Sequence, residues 1–322
     1  MDRKRFLGVG PAVVTAMHAD GAVDVAGFAA HLEFLIAGGV HFLVPCGTTG
    51  ESATLTPAEQ LQLIEKTAEV ANGRVPILAG AGTNDTRDAA DLARAAARAG
   101  ADAILSVTPY YNKPTQEGLY RHYMTVADAA GIPVFVYNVP GRTSCNVLPD
   151  TLFQLAQEHE LIAGVKEASG DIDQVMTILR GRPDGFLVLS GEDHLTFAVV
   201  ALGGDGVISV AANEVPARMA EMVDAALAAD YVTARQIHYK LLPLMRANFI
   251  ETNPIPVKTA LELMGHHPAH FRLPLCPLSQ RNREPLREAL LAAGVELPKA
   301  PAQGKRPARQ AQAKATGARS GR

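Results

Sequence analysis

Leu161-Ile162-Ala163-Gly164-Val165-Lys166-Glu167-Ala168-Ser169 is a short apolar run that closes on a lysine. Its unbroken hydrophobic character reads as a strand buried on both faces, with Lys166 at the C-terminal end. Burial disfavours an ammonium, and an amine that has lost its proton is a nucleophile able to form an imine with a carbonyl compound. A free lysine titrates near 10.4, so only about one in 2,500 is neutral at pH 7, and desolvation is the force that could change this. Taken alone, a lysine at a strand end reads as a solvated terminus. What the rest of the chain places around it decides otherwise.

Runs of the same kind recur over 8–15, 42–46, 76–80, 103–108, 133–138, 186–190 and 206–210. With 162–166 they make eight predicted strands. Between them lie Ala-, Leu- and Arg-rich segments of 3.6-residue periodicity, among them 57–71, 85–99 and 117–130. Thr56-Pro57-Ala58-Glu59 combines an N-cap threonine, a proline in the first turn and a glutamate placed to complete a capping box. Gly100-Ala101-Asp102 and Gly131-Ile132-Pro133 mark helix ends ahead of the next strand.

Apolar strands alternating with amphipathic helices imply a parallel sheet covered by helices. Eight such units fit an α/β fold of the (β/α)8 TIM-barrel type better than an open doubly wound sheet. No Gly-rich dinucleotide fingerprint follows the first strand. The barrel is expected over residues 1–230, a C-terminal helical extension over 231–296, and a disordered basic tail over 297–322.

With 322 residues, 48% of them hydrophobic and 20% charged, the composition is that of a soluble globular protein. No stretch is long and apolar enough to span a membrane, and the N-terminus lacks a signal-peptide core. Cys46, Cys145 and Cys276 are scattered without metal-ligand spacing, which suggests reduced thiols and a cytoplasmic location. The net charge of −3 hides an asymmetry: residues 297–322 carry seven Lys/Arg and no acid. The body is therefore acidic, which argues against nucleic acid as a partner of that body. The tail itself reads as a solvated segment, with RNA or an acidic partner as the other options.

In a barrel of this kind the loops after the strand C-termini form the active site, and the unusual residues collect there. Gly47-Thr48-Thr49-Gly50-Glu51 supplies backbone N–H groups and two hydroxyls, a nest for a carboxylate or simply a capped turn. Thr108-Pro109-Tyr110-Tyr111-Asn112 holds two adjacent tyrosines, with Tyr110 read as an interface anchor. Tyr137-Asn138-Val139-Pro140-Gly141-Arg142-Thr143 places a phenol at the barrel mouth for proton exchange, and an arginine that, taken alone, reads as a surface-loop residue but is able to clamp a carboxylate. Ser190-Gly191-Glu192-Asp193 and Gly206-Val207-Ile208-Ser209-Val210 contribute backbone groups and an apolar wall.

These motifs, together with Asn253-Pro254-Ile255-Pro256-Val257-Lys258, resemble the dihydrodipicolinate synthase family of pyruvate-dependent class I aldolases over roughly residues 5–294. The resemblance implies condensation of pyruvate with L-aspartate 4-semialdehyde through an imine on Lys166, in lysine and diaminopimelate biosynthesis. It implies Tyr137 as proton donor and acceptor, linked through Thr48 to Tyr111, which reaches across from a neighbouring subunit. Thr49 and Ile208 would bind pyruvate with Gly191 nearby, and Arg142 would hold the carboxylate of the aldehyde substrate. It further implies no metal or organic cofactor and a homotetramer built as a dimer of dimers. The Gly-Arg-Thr loop at 141–143 favours a synthase over the related sialic acid lyases. Pro57 and Gln60 stand where lysine-inhibited members carry histidines, although Asn84 is kept and Asp88 is an acidic substitute, so feedback inhibition by lysine is expected to be weak or absent. An aldolase acting on a sugar acid, and a barrel that binds without catalysing, remain as alternatives.

Overall fold

The computed structural model describes residues 3–298. The tail expected over 297–322 falls, apart from Leu297 and Pro298, outside the described residues. Seven parallel strands form one sheet: β1 (Gly8–Pro11), β2 (Leu78–Gly80), β3 (Ala103–Val107), β4 (Val134–Asn138), β5 (Ile162–Glu167), β6 (Leu187–Ser190) and β7 (Gly206–Ser209), in the order β1-β7-β6-β5-β4-β3-β2. The order is sequential except where β1 adjoins β7, which leaves β1 and β2 as the two edges.

The eighth predicted strand, at 42–46, is not a regular one, and this corrects the expectation. Its residues bridge the two edges instead, Val44 facing Ala12 and Leu43 facing Ile77 in parallel. Val44 donates to the Pro11 carbonyl at 3.1 Å and Val13 to that of Val44 at 3.0 Å; on the other side Leu43 donates to Pro76 and Leu78 to Leu43, both at 2.9 Å. A continuous ladder fails for a chemical reason. Pro11, Pro45 and Pro76 have no N–H to give, and Cys46 turns the chain away with φ of 59°.

Alternation along the strands sorts the core into layers. Leu105, Phe135, Tyr137, Leu187, Leu189 and Ile208 share an inner cluster with Phe42 and Leu78. Ile104, Val134, Val136, Val165 and Val188 face the other way, into the apolar sides of the covering helices. Gly164 has a packing reason inside this pattern: a Cβ there would lie 2.5 Å from the Leu187 carbonyl oxygen and 2.8 Å from the Phe135 ring. The helices follow their predicted signals closely. Pro57–Ala71 starts on Thr56 with both hydrogen bonds of the capping box, Thr86–Arg98 is capped by Asp85, and Gln116–Ala130 ends at Gly131 with φ of 64°. The α-helices after β7 are Pro216–Leu227, within the stretch expected to belong to the barrel, and Tyr231–Ala247, Ile255–Leu263 and Gln280–Ala293 in the expected extension. They share a second core with Val9 and Val207, which ties them to the β1–β7 edge of the sheet.

Candidate active site

Register brings the chemistry together. Tyr137 on β4, Lys166 on β5 and Leu189 on β6 occupy one row across the sheet, one residue before the strand ends. Lys166 is buried, and its Nζ lies 4.1 Å from the centroid of the Tyr137 ring, which is buried too. Leu189 and Ile208 complete an apolar surround with Tyr137 and Ala168. The turn after β6 closes tightly on the amine. A Cβ on Gly191 would come within 2.4 Å of the Ala168 Cβ and 3.1 Å of the Lys166 Cε. The peptide N–H of Gly191 donates to the Glu167 carbonyl at 2.7 Å, holding the turn against β5.

Beside this row a cleft of about 850 Å³ opens, lined by Thr48, Val107, Tyr110, Val139, Arg142 and Asn253 among others. Lys166 and Tyr137 are not in its wall; the connection runs through Val107, which pairs with Tyr137 across β3 and β4. Arg142 sits on the single-turn helix Pro140–Thr143 that follows β4, and its exposed guanidinium reaches the Asn253 carbonyl at 3.5 Å.

The Gly47–Glu51 turn is held from the far end of the chain. Asn253 Nδ2 donates to the Thr49 hydroxyl at 3.0 Å, where both residues are buried. Lys258 Nζ pairs with Glu51 at 2.5 Å with neither side chain meaningfully exposed, and it lies 4.9 Å from the Phe271 ring centroid. Arg272 forks onto Glu59 and donates to the carbonyls of Gly21 and Thr54, joining the C-terminal segment to the Pro57–Ala71 helix. The Arg272 guanidinium holds the Glu59 carboxyl down at about 2.

Two acids follow Gly191. Asp193 is buried, and its Oδ2 accepts the peptide N–H groups of Val210 at 3.0 Å and Ala211 at 2.8 Å, fixing the chain just beyond β7. Burial pushes the carboxyls of Glu192 and Asp193 above the usual range; the Lys166 charge acts on both in the opposite direction, and that of Arg142 on Glu192 as well. Cys46, at the head of the Gly47–Glu51 turn, offers no rival nucleophile: burial pushes its thiol up to about 12.

The fold thus sets Tyr137 and Gly191 against the Lys166 side chain, with Ile208 in the same inner cluster, and puts Thr48 and Arg142 in the wall of the adjoining cleft, Thr49 being buried and bonded to Asn253. Tyr111 stands apart. It is 90% exposed, with φ of 73°, and among the described residues no hydrogen bond joins it to Thr48 or Tyr137.

A sequence model of the dihydrodipicolinate synthetase family matches residues 5–293. The chain belongs to that family. It is 52% identical over 290 residues to the 4-hydroxy-tetrahydrodipicolinate synthase of Thermodesulfovibrio yellowstonii, an alignment covering 90% of this chain and 99% of that protein. It also superposes on the dihydrodipicolinate synthase of Acinetobacter baumannii crystallised with pyruvate, with a TM-score of 0.88, 45% identity, and coverage of 90% and 99%. A third similar structure is a monomeric dihydrodipicolinate synthase variant, with a TM-score of 0.89, 42% identity, and coverage of 91% and 99%.

Several residues that hold the site together in this dihydrodipicolinate synthetase family member escape sequence reasoning. Asn253 and Lys258 sit in a quoted motif, but nothing local tells that they grip Thr49 and Glu51, more than 200 positions away. Asp193 and Glu167 read as ordinary loop and strand-end acids. The one available signal was their adjacency to Gly191 and Lys166.

Proposed function

We propose that the seven strands and the 42–46 bridge act as a closed (β/α)8 barrel whose mouth forms an imine between Lys166 and pyruvate. The amine attacks the keto carbon, and the keto oxygen leaves as water. The imine draws electrons from the neighbouring methyl group, which loses a proton to give an enamine, so the imine nitrogen serves as the electron sink. The enamine carbon attacks the aldehyde carbon of L-aspartate 4-semialdehyde, and the aldehyde oxygen takes up a proton. The amino group of that substrate then adds to the imine carbon and displaces Lys166, closing the ring of 4-hydroxy-tetrahydrodipicolinate. One water is released overall. The reaction is that of a lyase in lysine and diaminopimelate biosynthesis.

The observation that carries this reading is the Lys166 amine, sheltered at a strand end and set 4.1 Å from the Tyr137 ring centroid. In it Tyr137 moves the protons, Thr48 passes them on, and Thr49, Ile208 and Gly191 hold the pyruvate portion. Arg142, held beside the cleft by a long contact to the Asn253 carbonyl, takes the carboxylate of the semialdehyde by charge-assisted hydrogen bonds. Tyr111 completes the relay in a neighbouring subunit of a tetramer, which gives a reason for a 90% exposed tyrosine. The barrel is assigned to 1–230 and the extension that grips the Gly47–Glu51 turn to 231–296. No described helix is long and apolar enough to cross a membrane, and the reading places the enzyme in the cytoplasm.

Pro57 and Gln60 line the cleft, and the Gln60 amide is spent on the carbonyl of Ser52 at 3.1 Å. Lysine should therefore inhibit weakly or not at all; strong inhibition below millimolar concentration would contradict this. The substrate assignment is tested by steady-state kinetics with pyruvate and L-aspartate 4-semialdehyde against cleavage of keto-deoxy sugar acids. Turnover confined to the first pair is expected, and efficient cleavage of a sugar acid would overturn it.

A further inference from the structure

Asn138 and Glu167 are the last residues of β4 and β5, directly after Tyr137 and Lys166. They pair in register, and alternation turns their buried side chains to the outer face of the sheet. Glu167 Oε2 accepts from Asn138 Nδ2 at 2.9 Å and from Gln174 Nε2 at 3.2 Å, while Oε1 accepts the Ser169 peptide N–H at 2.8 Å. Asn138 Oδ1 accepts the Val147 N–H at 3.0 Å, and its Nδ2 is shared with Asn146 Oδ1 at 2.8 Å. Asn146 and Gln174 close the network by exchanging hydrogen bonds at 2.9 and 3.1 Å.

The polarity of this network is fixed. Backbone N–H groups at Val147 and Ser169 pin both ends, so no amide in it can turn over without setting donor against donor. Every group that reaches Glu167 is a donor, and among the described residues no Lys or Arg pairs with it. Only an acceptor-only side chain satisfies all three. A buried carboxylate without a cation is costly, and finishing a strand does not require one. What this one does is join the residue after Tyr137 to the residue after Lys166.

We propose that Glu167 is a positioning residue for the reaction: acting through Asn138, it locks the ends of β4 and β5 so that the Tyr137 phenol stays against the Lys166 amine during proton transfer. This rests on the imine reading of Lys166 and Tyr137 given above. Loss of the lock would leave the amine able to capture pyruvate but would misplace the phenol that takes the methyl proton. A merely structural role would lower both steps together, in proportion to the folded fraction.

The test uses the full-length protein and its Glu167→Gln and Gln174→Met variants. Imine occupancy is read by borohydride trapping with pyruvate and peptide mapping at position 166. Proton transfer is read by exchange of the pyruvate methyl hydrogens in D2O, expressed per trapped site. Glu167→Gln should lower exchange per trapped site by at least about tenfold, the scale of a misplaced reacting group, with trapping changed by no more than about twofold. Gln174→Met, which removes one of the three donors to Glu167 together with both hydrogen bonds to Asn146, should show a smaller loss in the same direction, and it decides the matter if Glu167→Gln fails to fold. Unchanged exchange per trapped site in the folded variants overturns the proposal. An absence of adduct at position 166 in the unaltered protein would instead overturn the imine reading beneath it.

Discussion

At Gly191 the missing side chain is what lets the turn after β6 close on Lys166. An alanine there would drive its Cβ into Ala168 and against the Lys166 stem. Overpacking of this kind costs about 1–3 kcal/mol. Gly191→Ala should therefore lower stability by that amount in chemical denaturation and slow pyruvate trapping as well; unchanged trapping would show that the turn does not shape the pyruvate site. Arg142 makes the opposite prediction. It lies outside the Tyr137–Lys166 row, so Arg142→Ala should leave trapping intact. It should also lose a charge-assisted hydrogen bond of about 1.5–3 kcal/mol to the second substrate, or roughly 10- to 150-fold in kcat/KM for the semialdehyde. Equal losses in both measurements would contradict the division of labour between row and cleft.

The C-terminal helices belong to the site as much as the strands do. Lys258, from the helix Ile255–Leu263, sits in a buried pair with Glu51 in the turn that carries Thr48 and Thr49. Removing one partner leaves a charge stranded, at a cost of about 3–5 kcal/mol. Lys258→Met and Glu51→Gln should each destabilise on that scale, and the double variant by clearly less than their sum; strict additivity in the double-mutant cycle would mean that the pair is not a unit. This is also where legibility in the sequence ends. Strand runs and the capping box at Thr56 are local signals that led to seven of the strands and to the Pro57–Ala71 helix, and the run at 162–166 put Lys166 near the end of its strand. The 42–46 segment was found but overestimated as a strand, because Pro45 and the facing Pro11 and Pro76 permit bridging yet deny a ladder. The grip of Asn253 on Thr49, the Asp193 hold on Val210 and the Glu167 network depend on which loops the fold brings together. No periodicity encodes that.

Across the whole molecule, acid should be the weakness. Burial holds His31 down at about 3 and His122 at about 4, and lowers His238, His266 and His267 as well. The unfolded chain binds protons at these positions near 6.5 while the folded one does not, so their contribution to stability falls as the pH drops from about 6.5 towards 4. Glu214, which burial pushes well above the usual carboxyl range, works in the reverse sense, its contribution being lost as the pH rises. The histidine part is isolated by comparison: the unaltered protein should lose more stability between pH 6.5 and 4 than His31→Gln does, and parallel pH profiles would exclude a role for His31. The most direct measurement is made on the same intact protein. Borohydride reduction with pyruvate, followed by peptide mass mapping, should place a single pyruvate-derived adduct on Lys166, and Lys166→Ala should abolish both adduct and condensation. An adduct on another lysine, no adduct at all, or condensation that survives the alanine variant would contradict the account.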